Sequence, residues 1–219
     1  EGGNRPRDIR TLITPGAGGG FTVSGAKRWT TLGPQGTLLL VTGRLAGAAT
    51  DERPALKVAL VRADQPGVTV VPMPETAFVP EVPHARIQLQ DVAIEPSSLL
   101  PGDGYDTYVK PFRTLEDIHV TAAVLAYLLR EARARGWSAD LRERLAATVA
   151  TLASVASSDH SDPATHVVLA GALHWAAALY REAGALWATT PEDPASRRWL
   201  RDAPLFAVAA GARQQRAAR

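Results

Sequence analysis

The sequence predicts an α+β, multi-domain fold: an antiparallel β-barrel or sandwich followed by an α-helical bundle. Two observations carry this. Up to Pro101 the chain is a series of short apolar alternations, each closed by Pro or Gly, with no helical period between them. Across Pro101 to Asp106 the glycine turns end, and Ala, Leu and Arg then recur at helical spacing. The boundary is placed in this stretch, giving a β-domain over residues 1–103 and a helical domain over residues 104–219.

In the first half, Ile9 to Ile13 reads as a strand between glycine-rich turns. Gly18 to Gly20 lacks the G-x-x-x-x-G-K-[ST] spacing and a following helix, so it reads as a hairpin tip rather than a phosphate cradle. Phe21 and Val23 form a half-buried strand, Gly25 a turn, and Ala26 to Trp29 the next strand. Further strands are expected at Thr37 to Arg44, Ala55 to Val61, Val68 to Val71 and Ala85 to Ile94, the last with Ile87, Leu89 and Val92 facing inward. Ala46 to Arg53 reads as a surface loop.

In the second half, Thr114 with Asp117 makes a capping box, and Ile118, Ala122, Leu125 and Leu129 continue a helix toward Gly136. A second helix follows Ser138 and runs to about Ala156. Asp162 with Pro163 opens a third that reaches Trp187, and Asp193 with Pro194 a short fourth. Asp202, with Pro204 behind it, is expected to open the last.

Composition narrows the function classes. A hydrophobic content of 46% supports a real core, and 24 Lys plus Arg against 22 Asp plus Glu leaves no basic block with interleaved aromatics, which sets nucleic acid aside. The absence of cysteine removes disulfides and thiolate chemistry and fits the cytoplasm. No apolar run reaches the roughly 18 residues of a membrane span, and the first residues lack the apolar core of a signal peptide. The sole methionine is Met73, so Glu1 is not an initiator and further sequence upstream is expected.

Two clusters of residues suggest chemistry. Trp29 stands at a strand end, with hydroxyls at Thr30 and Thr31 on opposite faces by the strand's period of two. An indole face plus one donor hydroxyl suits a planar heteroaromatic ligand; an indole filling the sheet core is the alternative. Asp159, His160, Asp162, His166 and His174 raise a metal reading, but His166 and His174 are two turns apart without a third ligand in sight, so no metal site is assigned. No G-x-S-x-G elbow supports a hydrolytic serine.

EGGN and FTVSGAKRWTT, then ALKVALVRADQPGVTVVPM, then ARIQLQDVAIEPSSLLPGDGYD resemble, in order, segments of the middle β-domain of the acyl-coenzyme A dehydrogenase family and its exit into the helical domain. The resemblance covers about residues 1–135 and implies FAD as cofactor, with proton abstraction from an acyl thioester and hydride transfer to flavin N5. Trp29 would then pack on the flavin and Thr31 hydrogen-bond to it, with Thr30 in the place of the usual isoleucine and Leu32 in that of the usual asparagine or serine. The family's C-terminal Y-E-G-T-like glutamate and its diphosphate-binding arginine have no recognisable counterpart. Some members use a glutamate in an early L-E-R motif; here RTLEDIHV offers Glu116 by motif and Asp117 by spacing, while first-turn acids also serve the helix dipole.

The resemblance further implies an acyl-CoA substrate, electron-transfer flavoprotein as acceptor and a homo-oligomer, in a stretch of a longer chain. With the C-terminal glutamate unmatched and the base ambiguous, this stretch is expected to turn over acyl thioesters poorly or not at all. The alternative is a catalytically degenerate relative kept as a subunit or interaction module.

Overall fold

The computed structural model describes residues 6–16, 18–48 and 54–208; Gly2, Gly3 and residues 49–53 of the expected loop lie outside them. The chain divides into two compact units, Glu1–Thr76 with Pro80–Lys110 and Ala77–Val79 with Pro111–Arg219.

The first unit is a sheet of six strands: β1 (Leu12–Pro15), β2 (Phe21–Thr31), β3 (Leu38–Leu45), β4 (Leu56–Arg62), β5 (Val68–Pro72) and β6 (His84–Ile94). Their order is β4-β3-β1-β2-β6-β5. The expectation of an antiparallel barrel or sandwich is corrected in two respects: the sheet is mixed, and it is not closed into a barrel. β1 runs parallel to β3, with Leu12 opposite Arg44 and Ile13 opposite Leu45, and the sheet is open, with β4 and β5 at its edges. Burial still unites it, because Ile13, Val23, Val41, Val61, Ile87 and Val92 from five strands meet in one core. Alternation assigns each side chain to a face, and that much was readable; it does not name a strand's partner.

Two local corrections bear on the site. β1 starts at Leu12, after a 3-10 turn at Pro6–Asp8, later than the expected Ile9. Gly25 is not a turn: β2 passes through it without a break, and the pairing with β6 slips between Val23 and Gly25. Gly25 has φ 151°, and a Cβ there would lie 2.7 Å from Thr11 Cα, so the close approach of Thr11, just ahead of β1, needs the missing side chain. On β6 the same slip puts Asp91 at φ 48°. Ser24 holds it, its hydroxyl donating to Asp91 Oδ1 at 2.8 Å and accepting from the Asp91 N–H at 3.0 Å.

The second unit is helical: α1 (Lys110–Ala134), α2 (Ala139–Ala156), α3 (Pro163–Ala188), α4 (Pro194–Asp202) and α5 (Leu205–Val208). Three starts follow their cap residues. Ser138 accepts from the Leu141 N–H, Asp162 from Ala164 and Asp193 from Ala195, the last two with proline at the first helical position. The Thr114 capping box does not form. A π-helical turn at Tyr105–Val109 runs straight into α1, Pro111 fits its first turn, and Thr114 is a buried residue of the helix body. Asp202 closes α4 instead of opening α5, accepting from the Val79 N–H at 2.7 Å and from Arg201 Nε at 2.7 Å.

The helical core repeats at three- and four-residue steps, as in Ile118, Leu125 and Leu128 of α1 and Leu169, Ala172, Ala176 and Leu179 of α3. Fully buried Trp187 anchors its end, 4.6 Å from Trp199, 5.2 Å from Trp137 and 5.9 Å from Tyr127 between ring centres.

Candidate functional site

β2 and β6 build the site at their shared end. Their pairing is regular down to Lys27 opposite Ile87 and resumes at Thr30 opposite Ala85. Three steps on β2 therefore match two on β6, so Arg28 and Trp29 form a bulge. Trp29 sits there at φ 57°, a left-handed conformation that a bulky residue seldom takes and that costs on the order of 1–3 kcal/mol.

The bulge decides where the side chains go. Ala85 and Ile87 are buried, whereas Arg86 is exposed, so the core face of β6 carries the odd-numbered residues here. Thr30, opposite Ala85, belongs to that face and is half-buried. Thr31 pairs with His84 on the other face and is exposed. Trp29 is 55% exposed and meets His84 edge-on, with ring centres 5.7 Å apart and planes at 75°. Trp29 is thus not a core filler. An outward indole and the Thr31 hydroxyl share one face, and the turn behind them is tied down by Leu32 N–H to Pro83 O at 2.8 Å and Gly33 N–H to Thr30 O at 3.0 Å.

Sequence reasoning singled out Trp29, Thr30 and Thr31 but missed His84, which only strand register brings to the indole. Glu116 and Asp117 lie in the second turn of α1, not its first. The buried stripe of that helix runs through Thr114, Ile118, Thr121 and Leu125; Asp117 borders it and is half-buried, while Glu116 points to the opposite side and is exposed. Among the described residues no three His, Cys, Asp or Glu could hold a metal ion. Asp162 is engaged as the α3 cap, and Asp159 accepts from the Ser161 N–H. No helix among the described residues is long and apolar enough to cross a membrane.

Fold and site together define an α+β protein whose open mixed sheet presents an indole and a hydroxyl at the end of a strand, followed by a helical unit. Residues 1–92 match the family model for the acyl-CoA dehydrogenase middle domain. Solved structures of similar fold include a probable acyl-CoA dehydrogenase from Mycobacterium abscessus, with TM-score 0.69 and 15% identity over 91% of this chain and 60% of that one. Butyryl-CoA dehydrogenase from Megasphaera elsdenii gives 0.63 and 16% over 91% and 59%. The ChsE4-ChsE5 complex from Mycobacterium tuberculosis gives 0.66 and 20% over 100% and 63%. At these identities the likeness is one of fold, and this chain spans about three fifths of their length. The search of curated proteins gives no match.

Proposed function

We propose that the protein is the part of an FAD-dependent acyl-CoA dehydrogenase that holds the flavin ring. The observation that carries this reading is the outward indole of Trp29 beside the Thr31 hydroxyl, inside the domain that matches the family. These residues fit the ring end of FAD. A flat, exposed apolar face offers stacking area, and a hydroxyl on the same face offers a donor to a ring heteroatom. Thr30, turned toward the core side, supports the strand rather than the ligand.

When bound, FAD supplies the hydride acceptor for α,β-dehydrogenation of an acyl thioester. The chain's own part in that chemistry is to orient the ring and to hold a base for the α-proton. We assign the base to Glu116, whose carboxylate is exposed, in preference to Asp117, which is half-buried and already engaged. An acyl-CoA substrate, an electron-transfer flavoprotein as acceptor and a homo-oligomeric assembly go with this reading.

The test is reconstitution of the purified protein with FAD, followed by gel filtration and anaerobic addition of acyl-CoA esters of several chain lengths. Flavin absorbance that travels with the protein, is lost in Trp29→Ala and bleaches with an ester supports the proposal. Bound flavin that no ester bleaches leaves the degenerate subunit as the better reading, and failure to retain flavin rejects the ring site.

A further inference from the structure

The Trp29 indole is more than half exposed and stands on a bulge, so the sheet itself does little to fix its side-chain torsions. Among the described residues the ring that meets it is His84, edge-on at 5.7 Å and 75°. The backbone at His84 is tied to the strands on both sides. His84 pairs with Thr31 across the strands, its carbonyl accepts from the Met73 N–H at 2.9 Å, and the carbonyl of the preceding Pro83 accepts from the Leu32 N–H at 2.8 Å. The strand that carries the imidazole is thus paired on both sides and His84 is half-buried, whereas the indole stands on a bulge and is exposed.

From this asymmetry we propose that His84 is a positioning residue, whose imidazole preorganises the Trp29 indole for a stacked aromatic ligand. The ligand's identity rests on the flavin reading above; the coupling between the two side chains does not. An exposed indole free to change rotamer must be ordered when a ligand stacks on it, and that ordering weakens binding. An edge-on aromatic neighbour does the ordering beforehand. The contact needs a ring at position 84, not a titrating one, so phenylalanine should replace histidine where alanine cannot.

The experiment uses the full chain and six proteins: wild type, His84→Ala, His84→Phe, and each of these three again with Trp29→Phe as the reference that isolates the Trp29 signal. Circular dichroism and the thermal midpoint check that the sheet is intact. In His84→Ala the Trp29 difference signal should lose anisotropy and become more accessible to acrylamide, whereas in His84→Phe both should stay at the wild-type level. Affinity for added FAD should fall about 3- to 10-fold in His84→Ala, the range expected for freeing one side chain, and recover in His84→Phe.

Unchanged Trp29 anisotropy and quenching in a folded His84→Ala protein overturns the positioning role, whatever happens with FAD. A folded His84→Ala protein with a loosened indole but wild-type FAD affinity also overturns it, because preorganisation would then have no consequence for binding. A wild-type protein that shows the His84-dependent indole signal yet binds no FAD overturns the flavin reading alone.

Discussion

Arg135 at the end of α1 reaches Asp193, the cap of α4, with Nη1 2.8 Å from Oδ2. The same guanidinium also meets Glu131 at 3.2 Å and lies over the Trp187 ring, so one side chain joins two helix ends above the aromatic cluster. The hydrogen bond from Arg135, followed by that from the Ala195 N–H, holds the Asp193 carboxyl below its ordinary 3.8 at about 2.

A pH dependence follows. Because the folded value lies below the unfolded one, the contribution is fully present above about pH 4 and is lost as pH falls through about 2. Asp193→Asn keeps a capping oxygen but not the charge. Its thermal midpoint should sit below wild type at pH 6, and the gap should close as pH approaches 2; a gap independent of pH would remove the ion pair from the account.

Glycine substitutions should separate two backbone roles. Gly25→Ala places a methyl group against Thr11 at a φ unsuited to L side chains and should destabilise the β unit by about 1–3 kcal/mol or more. Gly171 lies within α3 with open space around it, so Gly171→Ala should stabilise the helical unit by about 0.5–1 kcal/mol. Urea unfolding of each variant, followed by near- and far-UV circular dichroism, gives both values.

Much of this fold could be read from the chain, and the exceptions have physical causes. Apolar spacing located β3 to β6 and α1 to α4 to within a few residues, because it reports burial directly. The parallel contact of β1 with β3 leaves no trace in that spacing, which therefore does not distinguish an open mixed sheet from an antiparallel barrel or sandwich. Gly25 reads as a turn in the sequence because a glycine serves a bulge and a turn equally well. A signal was present nearby: the inward residues Ile87, Leu89, Val92 and Ile94 skip a step between Leu89 and Val92, where the β6 bulge lies. The Thr114–Asp117 box matched its motif, yet motif chemistry works only at a helix end, and this helix had already begun at Lys110. At the site, Trp29 and Thr31 were visible as residue types, but His84 became their neighbour only through register.

Stacked flavin should quench Trp29 fluorescence far more than that of Trp137, which packs against Trp187 in the helical core cluster. Titrating FAD into wild type, Trp29→Phe and Trp137→Phe resolves the two signals. Most of the quenching should vanish in Trp29→Phe and survive in Trp137→Phe; the reverse pattern would move the flavin away from the β2 bulge.

The assignment of the base rests on two adjacent acids that α1 turns about 100° apart, which is the rotation of one helical residue. Asp117 borders the buried stripe of its helix, is half-buried and is not without a partner. Glu116 points away from that stripe and has the longer side chain to reach a thioester's α-carbon. Replacing a positioned general base costs typically about 10²- to 10⁴-fold in rate. In FAD-loaded protein mixed anaerobically with acyl-CoA, bleaching of the flavin band should slow by about that factor in Glu116→Gln. Asp117→Asn should lower the thermal midpoint while leaving the bleaching rate within about tenfold, since it removes a contact and not the proton acceptor. Equal bleaching in wild type and Glu116→Gln, with a large loss in Asp117→Asn, would transfer the role to Asp117.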